Sequence, residues 1–225
     1  MKLRVYIFIM LLLALFVNYD INNNLYLYRK EVLPLFTEKS DATYSIVIDP
    51  GHGGIDKGTS YQDLYEKDIN LKIGLYLKEY LEDKGVKVYM TREEDILLSL
   101  REIGDFVNDI KPHAFISIHV NSFKEPSYDG FSAFYYSEGG FQKEERIELA
   151  QIIQEEVSNS GLWFDREIKE QNIAVLRYSN YPCALLEIGF MTNEKDRERL
   201  TNENILKTTG ESIGKGILKY VTLKN

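Results

Sequence analysis

The chain has 225 residues, 44% of them hydrophobic and 28% charged, with a net charge of -8. That length suits one well-buried domain plus an appendage, and the negative balance excludes a general basic field for nucleic acid or anionic lipid. The single cysteine, Cys183, excludes an internal disulfide; it follows Pro182 into an apolar run and reads as a small core residue.

Met1-Lys2-Leu3-Arg4 is basic, and residues 5–17 form an unbroken apolar run. A charged start followed by thirteen apolar residues reads as an export segment over 1–17, either a cleaved signal peptide or an uncleaved anchor, too short for a comfortable membrane span. Residues 18–43, with Asn22-Asn23-Asn24 and scattered tyrosines, read as a linker or loosely packed arm. The globular domain is expected over 44–222.

Tyr44 to Asp49 is a short β-branched run ended by Pro50-Gly51, a strand and its turn. Residues 66–84 carry Ile69, Ile73, Leu77 and Leu81 at helical spacing, stopped by Gly85. Strands follow at 86–91, 114–120 and 130–136, with a helix at 99–110 between the first two. A helix is expected at 143–158, strands at 172–176 and 184–188, and helical material over 195–221. Strands alternating with helices of ten to twenty residues imply a single α/β domain with a mostly parallel, twisted sheet of about six strands and helices on both faces. In such sheets the working site lies at the carboxyl ends of the strands.

Three features fall at those ends. His52 sits in the glycine-rich turn Pro50-Gly51-His52-Gly53-Gly54; His119 ends the apolar run Phe115–Val120; Glu187 stands where a buried strand should carry an aliphatic. With Glu66, which opens the first helix, the two histidines make a two-imidazole, one-carboxylate set, the ligand count of a catalytic zinc with an open fourth position. Each has a duller reading. His52 could be a loop residue, Glu66 could merely complement the helix dipole, and His119 could be a satisfied core histidine. Glu187 resists one, because a carboxylate in an aliphatic strand is costly unless a cation or hydrogen bonds compensate. Together they favour a metal site with Glu187 as base. Asn121 either orients a ligand or substrate or caps a turn, and Arg177 either meets a substrate carboxylate or forms a surface ion pair. His113 reads as solvated, Trp163 as packing. The glycine-rich stretch 51–58 lacks the Gly-Lys-Ser/Thr ending of a phosphate-binding loop.

Asp49-Pro50-Gly51-His52-Gly53-Gly54, Glu66-Lys67-Asp68-Ile69-Asn70, Ser117-Ile118-His119-Val120-Asn121 and Leu186-Glu187-Ile188-Gly189-Phe190-Met191-Thr192-Asn193 resemble the four signatures of the type 3 N-acetylmuramoyl-L-alanine amidases, in order, over residues 45–222. The chain is most similar to the compact sporulation members that prepare spore cortex for germination. The resemblance implies a zinc-dependent hydrolase cutting the amide between the muramic lactyl group and L-alanine of peptidoglycan, with His52, Glu66 and His119 on zinc and Glu187 as catalytic glutamate. Some relatives carry a helix that blocks the site; here only residues 137–142 occupy that stretch, so an ungated site is expected. A monomeric catalytic domain is expected, with peptidoglycan as substrate, an accessory protein as a possible partner, and membrane contact only through the N-terminal segment, outside the cytoplasmic membrane. A zinc peptidase on the stem peptide, or a non-catalytic wall-binding module of the same fold, stand as alternatives.

Overall fold

A computed structural model describes residues 44–224; the expected export segment 1–17 and linker 18–43 lie outside them. The first apolar run forms β1 (Ser45–Pro50), and a two-residue hairpin, β2 (Ser60–Tyr61) and β3 (Leu64–Tyr65), leads into α1 (Glu66–Asp83). There follow β4 (Lys87–Met90), α2 (Leu100–Ile110), β5 (Ala114–Asn121), β6 (Phe131–Tyr135) and α3 (Lys143–Ser158). The chain closes with β7 (Lys169–Glu170), α4 (Ala174–Arg177), β8 (Cys183–Phe190), α5 (Glu194–Leu200) and α6 (Glu203–Leu223). The expected α/β class with a six-stranded, mostly parallel sheet is what forms: its order is β4-β1-β5-β8-β6-β7, and the β6–β8 pair alone is antiparallel.

Alternation along the strands sorts side chains to two faces. Ile46 and Ile48, then Ile116 and Ile118, then Ala184 and Leu186 pack with Ile73 and Leu77 of α1, Leu149 and Ile153 of α3, and Ile213 and Ile217 of α6. On the other face Val47, Phe115, Cys183 and Leu185 pack with Ile103 and Val107 of α2 and Val175 and Leu176 of α4. The same alternation that points Phe115 and Cys183 into this second layer points Ser117, His119 and Glu187 the same way, so the polar residues continue an apolar row toward the carboxyl end. Helix α2 is fixed at its start by a reciprocal cap: Ser99 Oγ accepts from Glu102 N (3.3 Å), and Glu102 Oε2 accepts from Ser99 N (2.8 Å).

One sequence expectation is corrected and another refined. The run 172–176 is not a strand: Arg177 N donates to Ile173 O and Tyr178 N to Ala174 O, making the single turn α4. A short apolar run satisfies either period, and here burying Val175 and Leu176 on one side against α2 selects the helix. The edge strand is the two-residue β7 instead. The helical material at 195–221 is two helices, because Asn202 accepts from Asn204 N and Ile205 N and caps a new start. Cys183 and Trp163 are buried as expected, the indole donating to Thr209 Oγ1 (2.9 Å), and His113 is exposed, its Nδ1 accepting from Ser45 N. Among the described residues no helix is long and apolar enough to cross a membrane.

Candidate metal centre

Three separate elements deliver three side chains to one point at the carboxyl end of the sheet. His52 stands on the turn after β1, Glu66 opens α1, and His119 lies near the end of β5. Each can offer a donor atom within 4.8 Å of the others. Glu66 Oε1 lies 3.2 Å from His52 Nε2 and 3.0 Å from His119 Nδ1. Ligands at ~2.0–2.1 Å from a tetrahedral zinc are separated by roughly 3.3 Å, so these spacings suit one small ion. The two rings stand nearly perpendicular, 81° apart with centroids at 4.9 Å, so both nitrogens can face a shared centre without stacking.

Glu66 is only 4% exposed and is held from several sides. Val120 N donates to Oε1 (3.0 Å) and Thr59 N to Oε2 (2.7 Å). Burial raises the carboxyl's pKa, but the hydrogen bonds from His119 and His52 outweigh it and hold Glu66 well below the usual carboxylate range. It is therefore ionised in any buffer the protein would meet. The same hydrogen bond pushes His52 up to about 9. His119 is pulled down by burial, but its bond to Glu66 and the charges of Glu187 and Glu66 raise it overall. Glu66 thus favours the protonated form of both neighbouring imidazoles.

The sequence reading missed Asp56, which takes the outer nitrogen of His52 (Nδ1 to Oδ2, 2.8 Å) and fixes the ring with Nε2 inward. An acidic residue four positions beyond a turn histidine is a usable signal only once the histidine is known to point inward. His52 itself has φ +64°, left-handed for a residue with a Cβ, which costs roughly 1–2 kcal/mol. The turn tolerates that strain where it aims a functional ring.

Glu187 faces His119 across the β5–β8 ladder. Its Oε2 is enclosed and has no protein hydrogen-bond partner among the described residues. Desolvation drives its pKa up to about 7, opposed by the charges of His119 and His52. A carboxylate whose buried oxygen lacks a donor, beside a donor set for a cation, is a group that needs either a proton or a positive charge nearby. The donor chemistry and this unsatisfied oxygen both fit a divalent metal.

The site opens into a cleft of about 660 Å³, lined by His52 and His119 at one end and by Leu97, Leu98, Ile103 and Val175 along its walls. Of the other two residues singled out from sequence, Asn121 Oδ1 accepts from Ser122 N (2.7 Å), the turn-capping role. Arg177 is exposed at the end of α4, hydrogen-bonded to Asn172 Oδ1, and does not line the cleft. The structure thus gathers His52, Glu66, His119 and Glu187 and leaves Arg177 outside. Gly51 makes the crowding tangible, since a Cβ there would lie 2.2 Å from His119 Cε1. Gly51→Ala is expected to displace the imidazole and lower bound metal per chain in elemental analysis; an unchanged stoichiometry would mean the ring has room to move.

The pattern of a family described as N-acetylmuramoyl-L-alanine amidase matches residues 46–219. A germination-specific N-acetylmuramoyl-L-alanine amidase of Bacillus subtilis is 32% identical over 194 residues, covering 80% of this chain and 80% of that protein. An N-acetylmuramoyl-L-alanine amidase from Clostridium difficile 630 superposes with a TM-score of 0.77 at 34% identity, over 82% of this chain and all of that one. The CwlD amidase from Clostridioides difficile, solved in complex with the GerS lipoprotein, gives 0.73 at 34% identity, over 80% of this chain and all of that one. A match that begins in the first core strand, ends in the last helix and spans every side chain gathered above makes this chain a member of the N-acetylmuramoyl-L-alanine amidase family.

Proposed function

We propose that the protein is a zinc-dependent amidase that cuts peptidoglycan between the muramic lactyl group and L-alanine and releases the stem peptide, in the maturation of spore cortex. The observation that carries this reading is the convergence of two imidazoles and a carboxylate beside a buried glutamate with an unsatisfied oxygen. His52, Glu66 and His119 would hold the metal. When bound, zinc polarises an amide carbonyl and lowers the pKa of water from 15.7 to about 7.

The chain's own residues supply the rest. Glu187 takes a proton from the attacking water and returns it to the departing amine of L-alanine. Burial raises the proton affinity of this carboxylate, which favours its taking the proton from water before handing it on. The Asp56–His52 contact keeps one imidazole aimed. Leu98, Ile103 and Val175 line the cleft with apolar surface beside the two imidazoles. Between β6 and α3 the described residues hold only the 3₁₀ turn Glu138–Gly140, too little chain to plug the cleft, so the site works ungated by a helix there.

The basic start and apolar run of residues 1–17 support export across, or tethering to, the cytoplasmic membrane. The complex of the related CwlD amidase with a lipoprotein supports an accessory partner for this chain too. Mass spectrometry of peptidoglycan digested by the full chain tests the activity. Intact stem peptides with a free L-alanine amine are expected; cuts within the stem would make it a peptidase, and no products at all a binding module.

A further inference from the structure

We propose that Arg92 is a positioning residue for the metal centre, a buried guanidinium that locks the two backbone segments carrying His52 and Glu66 into one frame. This rests on the metal reading above. Arg92 follows β4 and is 3% exposed. Its hydrogen bonds go to backbone carbonyls. Nε donates to Pro50 O (2.8 Å), Nη2 to Gly51 O (3.2 Å) and Lys67 O (2.7 Å), and Nη1 to Glu94 O (3.1 Å). Gly51 immediately precedes His52, and Lys67 immediately follows Glu66. One rigid, planar group thus ties the residue before one ligand to the residue after another, and its fork geometry is what lets it satisfy several fixed acceptors at once.

The segment after Arg92 completes the brace. Asp95 Oδ1 accepts from Gly54 N (2.7 Å), and Asp95 Oδ2 accepts from Lys67 Nζ (2.6 Å), which also donates to Gly54 O (2.9 Å). A second side-chain pair therefore spans the same two segments, beyond His52 on one side and at Lys67 on the other. Gly53 presses onto the brace so closely that a Cβ would lie 2.0 Å from Ile96 O. The His52 turn is left-handed at His52 and closed onto this segment through Gly53 and Gly54, so the brace is what opposes relaxation of that turn. Asn70 Nδ2 joins the system from α1, donating to Gly51 O (3.1 Å). None of these side chains lines the cleft, Asn70 Nδ2 also donates to Glu66 Oε1 (3.4 Å), and their effect on chemistry passes through the ligands they hold.

A merely structural arginine would lower the stability of the fold and leave the affinity of the folded protein for metal unchanged. A positioning arginine changes that affinity. The experiment titrates zinc into the metal-stripped full chain by competition with a chromophoric chelator, alongside thermal unfolding of the metal-free form. Arg92→Lys keeps the charge but cannot bridge four carbonyls, and is expected to weaken zinc binding about 10- to 100-fold, the range seen when groups supporting metal ligands are lost. Leu149→Ala, a core truncation in α3 on the face of the sheet away from the cleft, is the control: it should lower the unfolding temperature and leave zinc affinity intact. Zinc affinity within twofold of the unmodified protein for Arg92→Lys, with only the unfolding temperature reduced, would overturn the proposal. Should Arg92→Lys fail to fold, the exposed Asp95→Asn decides: weakening of threefold or more supports the brace, and unchanged affinity overturns it. Failure of the unmodified chain to bind one zinc would instead remove the metal reading itself.

Discussion

Glu187→Gln is expected to lower kcat by about 10²- to 10⁴-fold, the usual contribution of a positioned acid–base group, while one metal per chain is retained. Glutamine keeps the shape and removes the proton acceptor. Turnover near that of the unmodified protein would place the base elsewhere. The same substitution should stabilise the metal-free protein, and the sign follows from the direction in which burial moves the carboxyl. Burial raises the folded-state pKa of Glu187 from 4.5 to about 7. The folded state therefore binds this proton more tightly than the unfolded chain, and ionising the group weighs against folding increasingly as pH rises from 4.5 through 7. Above that window the penalty reaches the order of 3 kcal/mol, because a tenfold difference in proton affinity between folded and unfolded chains is worth about 1.4 kcal/mol. At pH 8 without metal, Glu187→Gln should unfold at a higher temperature than the unmodified chain; at pH 4 the two should nearly coincide. A variant less stable at pH 8 would mean that Glu187 has a favourable partner in the metal-free fold. The expected combination, more stable and less active, is the signature of a group kept for chemistry at the expense of packing.

The elements that carry His52, His119 and Glu187 were legible because strands buried on both faces read as apolar runs, and a polar residue inside such a run stands out. Topology then did the gathering: parallel strands share a carboxyl end, so residues 52, 119 and 187 had to meet there whatever the loops did. The antiparallel entry of β6 beside β8 was not legible, since an apolar strand carries no mark of its direction. Nor was α4, where a four-residue apolar run fits both periods and only α2 behind it decides. Arg92 was hidden for a different reason. In Thr91-Arg92-Glu93-Glu94-Asp95 it looks like part of a solvated charge run, and nothing local reveals that its guanidinium turns inward to carbonyls 25 to 42 positions away. Of the two readings of Arg177, the surface one is what the fold places. With 172–176 folded as the turn α4, the side chain lies on the surface beside Asn172.

Zinc affinity is expected to rise steeply with pH between about 6 and 9, and to level off above. The cause lies in the metal-free centre. Glu66 stays ionised, and its hydrogen bond raises His52 to about 9, with His119 raised as well. Below that value the His52 imidazole carries a proton that a metal must displace, because only neutral imidazole is a ligand, and the upward shift of His119 acts in the same direction. At pH 7 the His52 proton alone costs about 100-fold in apparent affinity, roughly 3 kcal/mol, since that pH lies about two below the pKa of the ring. One displaced proton gives a tenfold gain per pH unit, and two give up to a hundredfold where both imidazoles are protonated. A chelator competition series from pH 6 to pH 10 reads the slope directly, and a flat profile would mean that neither imidazole is protonated before the metal arrives. His119→Ala should cut the slope along with the affinity, since it removes one ligand and its proton together. The stability of the metal-free form must run the other way. A folded-state pKa above the unfolded value of 6.5 means that His52 adds stability fully below pH 6.5 and loses it as pH climbs through 9. Metal and proton are therefore rivals for the same imidazole nitrogens, so the conditions that best hold the metal-free centre together are those in which it binds zinc least.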